Sequence, residues 1–235
     1  MRYGERIIAI VLLAGSLLFA GWTYFGHTLR SDVAPGGNMD LRNFVLQTGM
    51  NDGTQGQMID SLAGADGYSD ASFYTDRDGA MTLVSAAGQS VFLRERTDGW
   101  DTEQISILRG DAAVQAQDGA ACVASIWSAG TNPKPICSLD YSAEDGFCVY
   151  VADADGNGVD SMPLCMAAPG KRVHFTMSVR RELLRVTVED HSAEFWLPPS
   201  LAAASFSFTV GGENRPLSAA AHLQFYDLQL SHKRI

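Results

Sequence analysis

The sequence predicts an all-β domain of two packed antiparallel sheets, preceded by a single N-terminal transmembrane helix. Three observations carry that expectation. Many short segments after residue 40 alternate apolar and polar residues with period two, bounded by Gly, Asp, Asn and Pro. No long stretch beyond residue 25 keeps a 3.6-residue apolar period, and an apolar run extends from Ile7 to Phe25. A chain of 235 residues that is 46% apolar holds enough for one large β domain with an ordinary core.

Residues 1–6 form a short head carrying Arg2 and Arg6. The run over 7–25 spans about 28 Å as a helix, close to the hydrocarbon thickness of a bilayer. A cleaved signal peptide is the competing reading, but its best site, Leu18-Phe19-Ala20, has a bulky residue where a small one is required. Trp22, Tyr24 and Phe25 cluster at the far end, where an interfacial aromatic belt sits. An uncleaved anchor is therefore expected. Arg2 and Arg6 favour a cytoplasmic N-terminus, although Arg30 dilutes the bias. Four cysteines, all beyond the span, are compatible with an oxidising compartment. The expected location is a bacterial inner membrane, with the domain in the periplasm.

Residues 26–39 have linker composition, including Ala34-Pro35-Gly36-Gly37. The domain occupies 40–235. Val173, Phe175, Met177 and Val179 alternate with polar residues, and Leu184, Val186 and Val188 do so across the next turn, which predicts a hairpin with one buried face. Further strands are expected at Met81–Ser85, Ser90–Glu95, Glu103–Arg109, Cys122–Trp127, Cys137–Tyr141, Phe147–Ala152, Ala193–Leu197, Ala204–Val210 and His222–Leu230. Asp40–Leu46 and Ser200–Ala204 could form short helices at most. So many short strands point to two stacked antiparallel sheets.

The net charge is −10 and the basic residues are scattered, so no electrostatic footprint for nucleic acid is present. Several blocks, in order, carry a more specific signal. They are Phe73–Thr82, Ser90-Val91-Phe92-Leu93-Arg94-Glu95, Val123–Trp127, Phe147–Leu164, Lys171–Val188, Phe206–Arg215 and Leu223–Ser231. In this order and spacing the chain resembles polysaccharide lyase family 7, the alginate-lyase-like jelly rolls of concanavalin-type architecture, over residues 40–232. The resemblance implies β-elimination from a uronic acid. In that chemistry an Arg, a Gln or Asn and a His neutralise the sugar carboxylate, and a Tyr moves protons at the scissile linkage.

Carried over by position, the resemblance places Ser90 at the family's first Arg, Phe92 at its Glu, Ser125 at its Gln and Trp127 at its His. Glu213 falls near its Tyr and Arg215 at the following Gln, while Leu93, Arg94 and Glu95 match. Indole accepts no proton, and an ionised Glu213 repels a uronate. The expectation is therefore a degenerate scaffold that is not an enzyme, used as an accessory subunit of an inner-membrane assembly and in contact with other protein subunits. Two alternatives stand beside it. One is a membrane-anchored glycan-binding module with Arg94 and Trp127 at its centre, extended by Glu213 and Arg215. The other is an atypical uronate lyase built on Arg94, His174 and Glu213.

Asp153, Asp155, Asn157 and Gly158 match the first half of a calcium loop, but the twelfth position is Leu164 and no helices flank it. A polar hairpin tip is favoured over calcium, and no cofactor is expected. Cys148 and Cys165 are symmetric about a turn, as are Cys122 and Cys137, so disulfides Cys122–Cys137 and Cys148–Cys165 are predicted. Trp100, Trp127 and Trp196 could stack on sugar rings. For Trp196, in Phe195-Trp196-Leu197, core packing is the expectation.

Overall fold

A computed structural model describes residues 44–50, 55–59, 73–75, 80–85, 89–95, 99, 103–116, 119–129, 134–153, 159–198, 205–212, 214–215 and 220–234. Its strands, in chain order, begin with β1 (Phe44–Met50), β2 (Gln55–Ile59), β3 (Phe73–Thr75), β4 (Met81–Ser85) and β5 (Gln89–Glu95). The long β6 (Gln104–Ala116) leads to β7 (Ala120–Ser128), β8 (Pro135–Ser142), β9 (Gly146–Ala152) and β10 (Val159–Cys165). Then come β11 (Arg172–Arg180), β12 (Leu183–Val188), β13 (His191–Trp196), β14 (Phe206–Gly212), β15 (Asn214–Arg215) and β16 (Ala221–Arg234).

They form two antiparallel sheets. One has nine strands in the order β10-β9-β8-β7-β14-β5-β1-β2, with β15 also paired to β7; the other has seven, β13-β12-β11-β6-β16-β4-β3. Neighbours are often distant in sequence: β14 lies between β7 and β5, and β16 between β6 and β4. That wrapped connectivity is a jelly roll.

Alternation along each strand sends every second residue into the space between the sheets. Phe44, Leu46, Leu93, Phe206, Phe208 and Val210 from one sheet meet Leu83, Leu108, Phe175, Met177 and Phe225 from the other in one buried cluster. Tyr141 is buried at one end with its ring 4.9 Å from Phe147, and its hydroxyl donates to the Ala167 carbonyl at 3.0 Å. The predicted hairpin is β11–β12. Arg180 pairs with Leu183 across a two-residue turn in which Arg181 takes φ 55°.

Several expectations are corrected here. Part of the helix considered for Asp40–Leu46 is strand, because Phe44 and Leu46 flank half-buried Val45 with a period of two, not four. Trp196 is 74% exposed and not in the core. It ends β13, an edge strand, where Ala193 and Leu197 turn inward instead. No disulfide joins the four cysteines in the structure. Cys122 lies opposite Asp140, three residues along β8 from Cys137, whose own partner is Ile126. Cys148 lies opposite Pro163, and Cys165 opposite Phe147, so no cysteine faces another across a strand pair. Burial pushes the Cys137 thiol far up, with Asp140 adding to the effect.

The anchor expected over Ile7–Phe25 with Trp22 and Tyr24, the linker, and the helix considered at Ser200–Ala204 lie outside the described residues. Among the described residues no helix is long and apolar enough to cross a membrane.

Candidate functional site

On the side of the nine-stranded sheet turned away from the core, opposed side chains form a row that is buried at Ser125 and Thr209 and open at Ser161. Arg94 of β5 pairs with Val45 of β1 on one side and Thr209 of β14 on the other. Thr209 pairs with Ser125 of β7, Ser125 with Ser138 of β8, Ser138 with Tyr150 of β9 and Tyr150 with Ser161 of β10. Directly opposed residues project to the same side of a sheet. Arg94 is flanked in sequence by buried Leu93 and Glu95, so this side is the one turned away from the core. The row thus sets one guanidinium at the head of a line of hydroxyls.

Ser125, Thr209 and Trp127 are joined at its centre. The hydroxyls of Ser125 and Thr209 share a short hydrogen bond, and the Trp127 indole N–H donates to Ser125 Oγ at 2.8 Å. The indole is thereby held down with its polar edge satisfied, leaving its ring as half-buried apolar surface. Its cross-strand partner Ser207 is buried. Next along β14, Gly211 adopts φ 82°, and a Cβ there would meet the Val91 carbonyl oxygen at 2.6 Å. Only glycine lets β14 lie this close to β5 at that point.

Arg94 is set differently from three other arginines of the β sandwich. Arg172 and Arg185 each pair with carboxylates, and Arg109 donates twice to Gln229. Among the described residues no carboxylate pairs with Arg94, which is half-buried. It is a cation of this face without a carboxylate partner among the described residues.

The remaining predicted site residues are dispersed. His174 lies on the outer face of the other sheet, 2.8 Å from Asp111, so a constellation of Arg94 with His174 does not form. Glu213 lies outside the described residues. The main chain of Arg215 is in β15, paired with Ala120 of β7, which puts it in the same sheet as Arg94. Asp155 and Asn157 are also outside the described residues, and Asp153 is exposed at the end of β9.

No protein-family model matches the chain, and neither does any curated protein. Solved structures do. A variant of alginate lyase A1-II' in complex with substrate is 22% identical, with a TM-score of 0.72 over 86% of this chain and 98% of that one. A variant of the same lyase in complex with product gives 21% and 0.71 over 86% and 100%. The fold is that of the family 7 alginate lyases. An alginate lyase from Pseudomonas aeruginosa agrees, at 22% identity and a TM-score of 0.69 over 83% of this chain and 100% of that one.

The expectation that the chain is not an enzyme is corrected by these likenesses. The proteins that share its alginate-lyase fold over most of both chains are alginate lyases, one of them solved with substrate and with product, which stands against that expectation. The same likeness lends no support to the accessory-subunit role or to protein-subunit partners. Sequence reasoning singled out Arg94, Trp127 and, as a replaced position, Ser125, but not Thr209, which the β14–β7 and β14–β5 registers bring beside them.

Proposed function

We propose that the chain is a uronate-polysaccharide lyase that holds its substrate along the outer face of the nine-stranded sheet, with Arg94 on a sugar carboxylate. The observation that supports this most is the half-buried guanidinium of Arg94, without a carboxylate partner among the described residues, in a chain of net charge −10. Keeping a cation in that setting fits an anionic ligand that arrives from outside. The alginate lyases of the same fold bind such a ligand.

Elimination removes the proton on the carbon beside the carboxylate, forms a C=C bond and expels the neighbouring sugar oxygen, which takes up a proton. Arg94 would draw charge from the carboxylate and stabilise the developing enolate. The hydroxyls of Ser138, Tyr150 and Ser161 would meet sugar hydroxyls farther along the polymer, and the ring of Trp127 a pyranose face. Glu213, at the position that the resemblance assigns to the family's tyrosine, is our candidate proton acceptor. The anchor expected over residues 7–25 would hold this chemistry at the periplasmic surface of a membrane.

The test is the ultraviolet absorbance of unsaturated uronate released from alginate and from polyglucuronate. The expected result is product from at least one polymer. Binding without unsaturated product from any uronate polymer would overturn the lyase reading and leave a glycan grip alone.

A further inference from the structure

Glu95 follows Arg94 directly and so points the other way, into the sandwich. Burying a carboxylate is costly unless its oxygens find donors. Both oxygens do. Oε2 accepts the main-chain N–H of Phe208 at 3.1 Å, and Oε1 lies 2.7 Å from Nε2 of His232. The other nitrogen of that ring, Nδ1, lies 2.8 Å from Ser106 Oγ. Glu95 and Phe208 belong to the nine-stranded sheet, His232 and Ser106 to the seven-stranded one. The network therefore ties the two sheets together.

A serine, an imidazole and a carboxylate in line also make a hydrolase constellation. Here Ser106 is 0% exposed, set between Val179 and His232 in its sheet, so no substrate carbonyl reaches its hydroxyl. What the network can do is hold position.

The place it holds is specific. Main-chain pairing of β14 with β5 runs from Gly212 opposite Val91 to Thr209 opposite Arg94. The next pair in step would set Phe208 against Glu95, and there the Glu95 side chain takes the Phe208 N–H. The carboxylate closes the ladder immediately beyond the row that carries Arg94.

We propose that Glu95, tethered by His232 and Ser106, is the positioning residue for Arg94. This rests on the reading of Arg94 as the uronate-binding cation. It acts through the strand end, not by touching substrate.

The experiment compares Glu95→Ala, Glu95→Gln and Ser106→Ala in the full chain. Affinity is measured for an alginate trisaccharide and for a neutral cello-trisaccharide, and the Arg94 Nε–H resonance is followed without ligand. Glu95→Ala should weaken alginate binding about tenfold, leave neutral-sugar binding unchanged and move the Arg94 resonance. Glu95→Gln keeps an acceptor for Phe208 and an amide towards His232, and should stay within about twofold of the parent. Ser106→Ala severs only the far end and should fall between, which keeps the test open should Glu95→Ala not fold. An unmoved Arg94 resonance with unchanged alginate affinity in folded Glu95→Ala would overturn the proposal, as would equal losses for acidic and neutral sugars. Should the parent protein bind no alginate oligomer while Glu95→Ala still moves the Arg94 resonance, the role of Arg94 fails and its positioning by Glu95 stands.

Discussion

The two outer faces of the sandwich use arginine in opposite ways. On the seven-stranded sheet Arg172 donates to Asp111 at 2.8 Å and to Asp227 at 3.1 Å, and its guanidinium lies 4.1 Å above the Tyr226 ring. His174 adds a second contact to Asp111, and its main-chain N–H donates to Glu189. Around Asp111 the charges are paired within the protein, while Arg109 of the same sheet donates to the neutral Gln229. On the nine-stranded sheet Arg94 stands among hydroxyls and an indole, with no carboxylate against it among the described residues. An internally paired arginine contributes modestly to stability. Burying an arginine without an anionic partner costs desolvation, which a bound anion would offset. The contrast underlies the proposal that one face is structural and the other binds substrate.

Three substitutions sharpen or break that contrast. Arg94→Ala should lower unsaturated-product formation about a hundredfold, the usual scale for losing one charge-stabilising donor, while Arg172→Ala leaves it within about twofold. Equal losses would erase the distinction. Trp127→Ala should raise the dissociation constant for an alginate oligomer about tenfold, roughly 1.4 kcal/mol, by removing the stacked ring. Isothermal titration with the folded variant reads this, and an unchanged affinity would confine the indole to a packing role.

The smallest effect belongs to the paired face. Partial burial pushes the Asp111 carboxyl up, but hydrogen bonds from His174 and Arg172, with their charges, outweigh it and set it below the ordinary carboxylate value. A carboxyl depressed in the folded state stabilises the fold above its unfolded value, and that contribution is lost as pH falls through the folded one. Asp111→Asn should therefore cost up to about 1 kcal/mol at neutral pH. The gap from the parent should close as the pH drops below about 3.9. Urea unfolding at several pH values checks this, and a gap that persists in acid would contradict the pairing.

What the sequence made legible follows from the range of the forces involved. Met81–Ser85 was read with the bounds it has because apolar Met81, Leu83 and Val84 lie between glycines at positions 79 and 88 of the sequence. The strand expected at Glu103–Arg109 continues to Ala116, since Gly110 and Asp111 interrupt the alternation without ending the strand. Gly110 is there for contact: a Cβ would meet Leu228 Cδ2 at 2.9 Å. Arg94, Ser125 and Trp127 were singled out through the family resemblance, block by block, and the registers set them on one face. Glu95 matched the same block, yet its role depends on His232, 137 residues away, and no local pattern carries that. The cysteines failed for a related reason. Symmetry about a turn suggests partners, but a register offset decides which side chains meet, and offsets arise from tertiary packing.

The most direct measurement follows the guanidinium Nε–H resonances of Arg94 and Arg172 while an alginate trisaccharide is added to the full chain. A saturable shift at Arg94, with Arg172 unmoved and no response to a neutral trisaccharide, is the expected result. A shift at Arg172 with none at Arg94, or no shift at either, would contradict the assignment of the uronate carboxylate to Arg94.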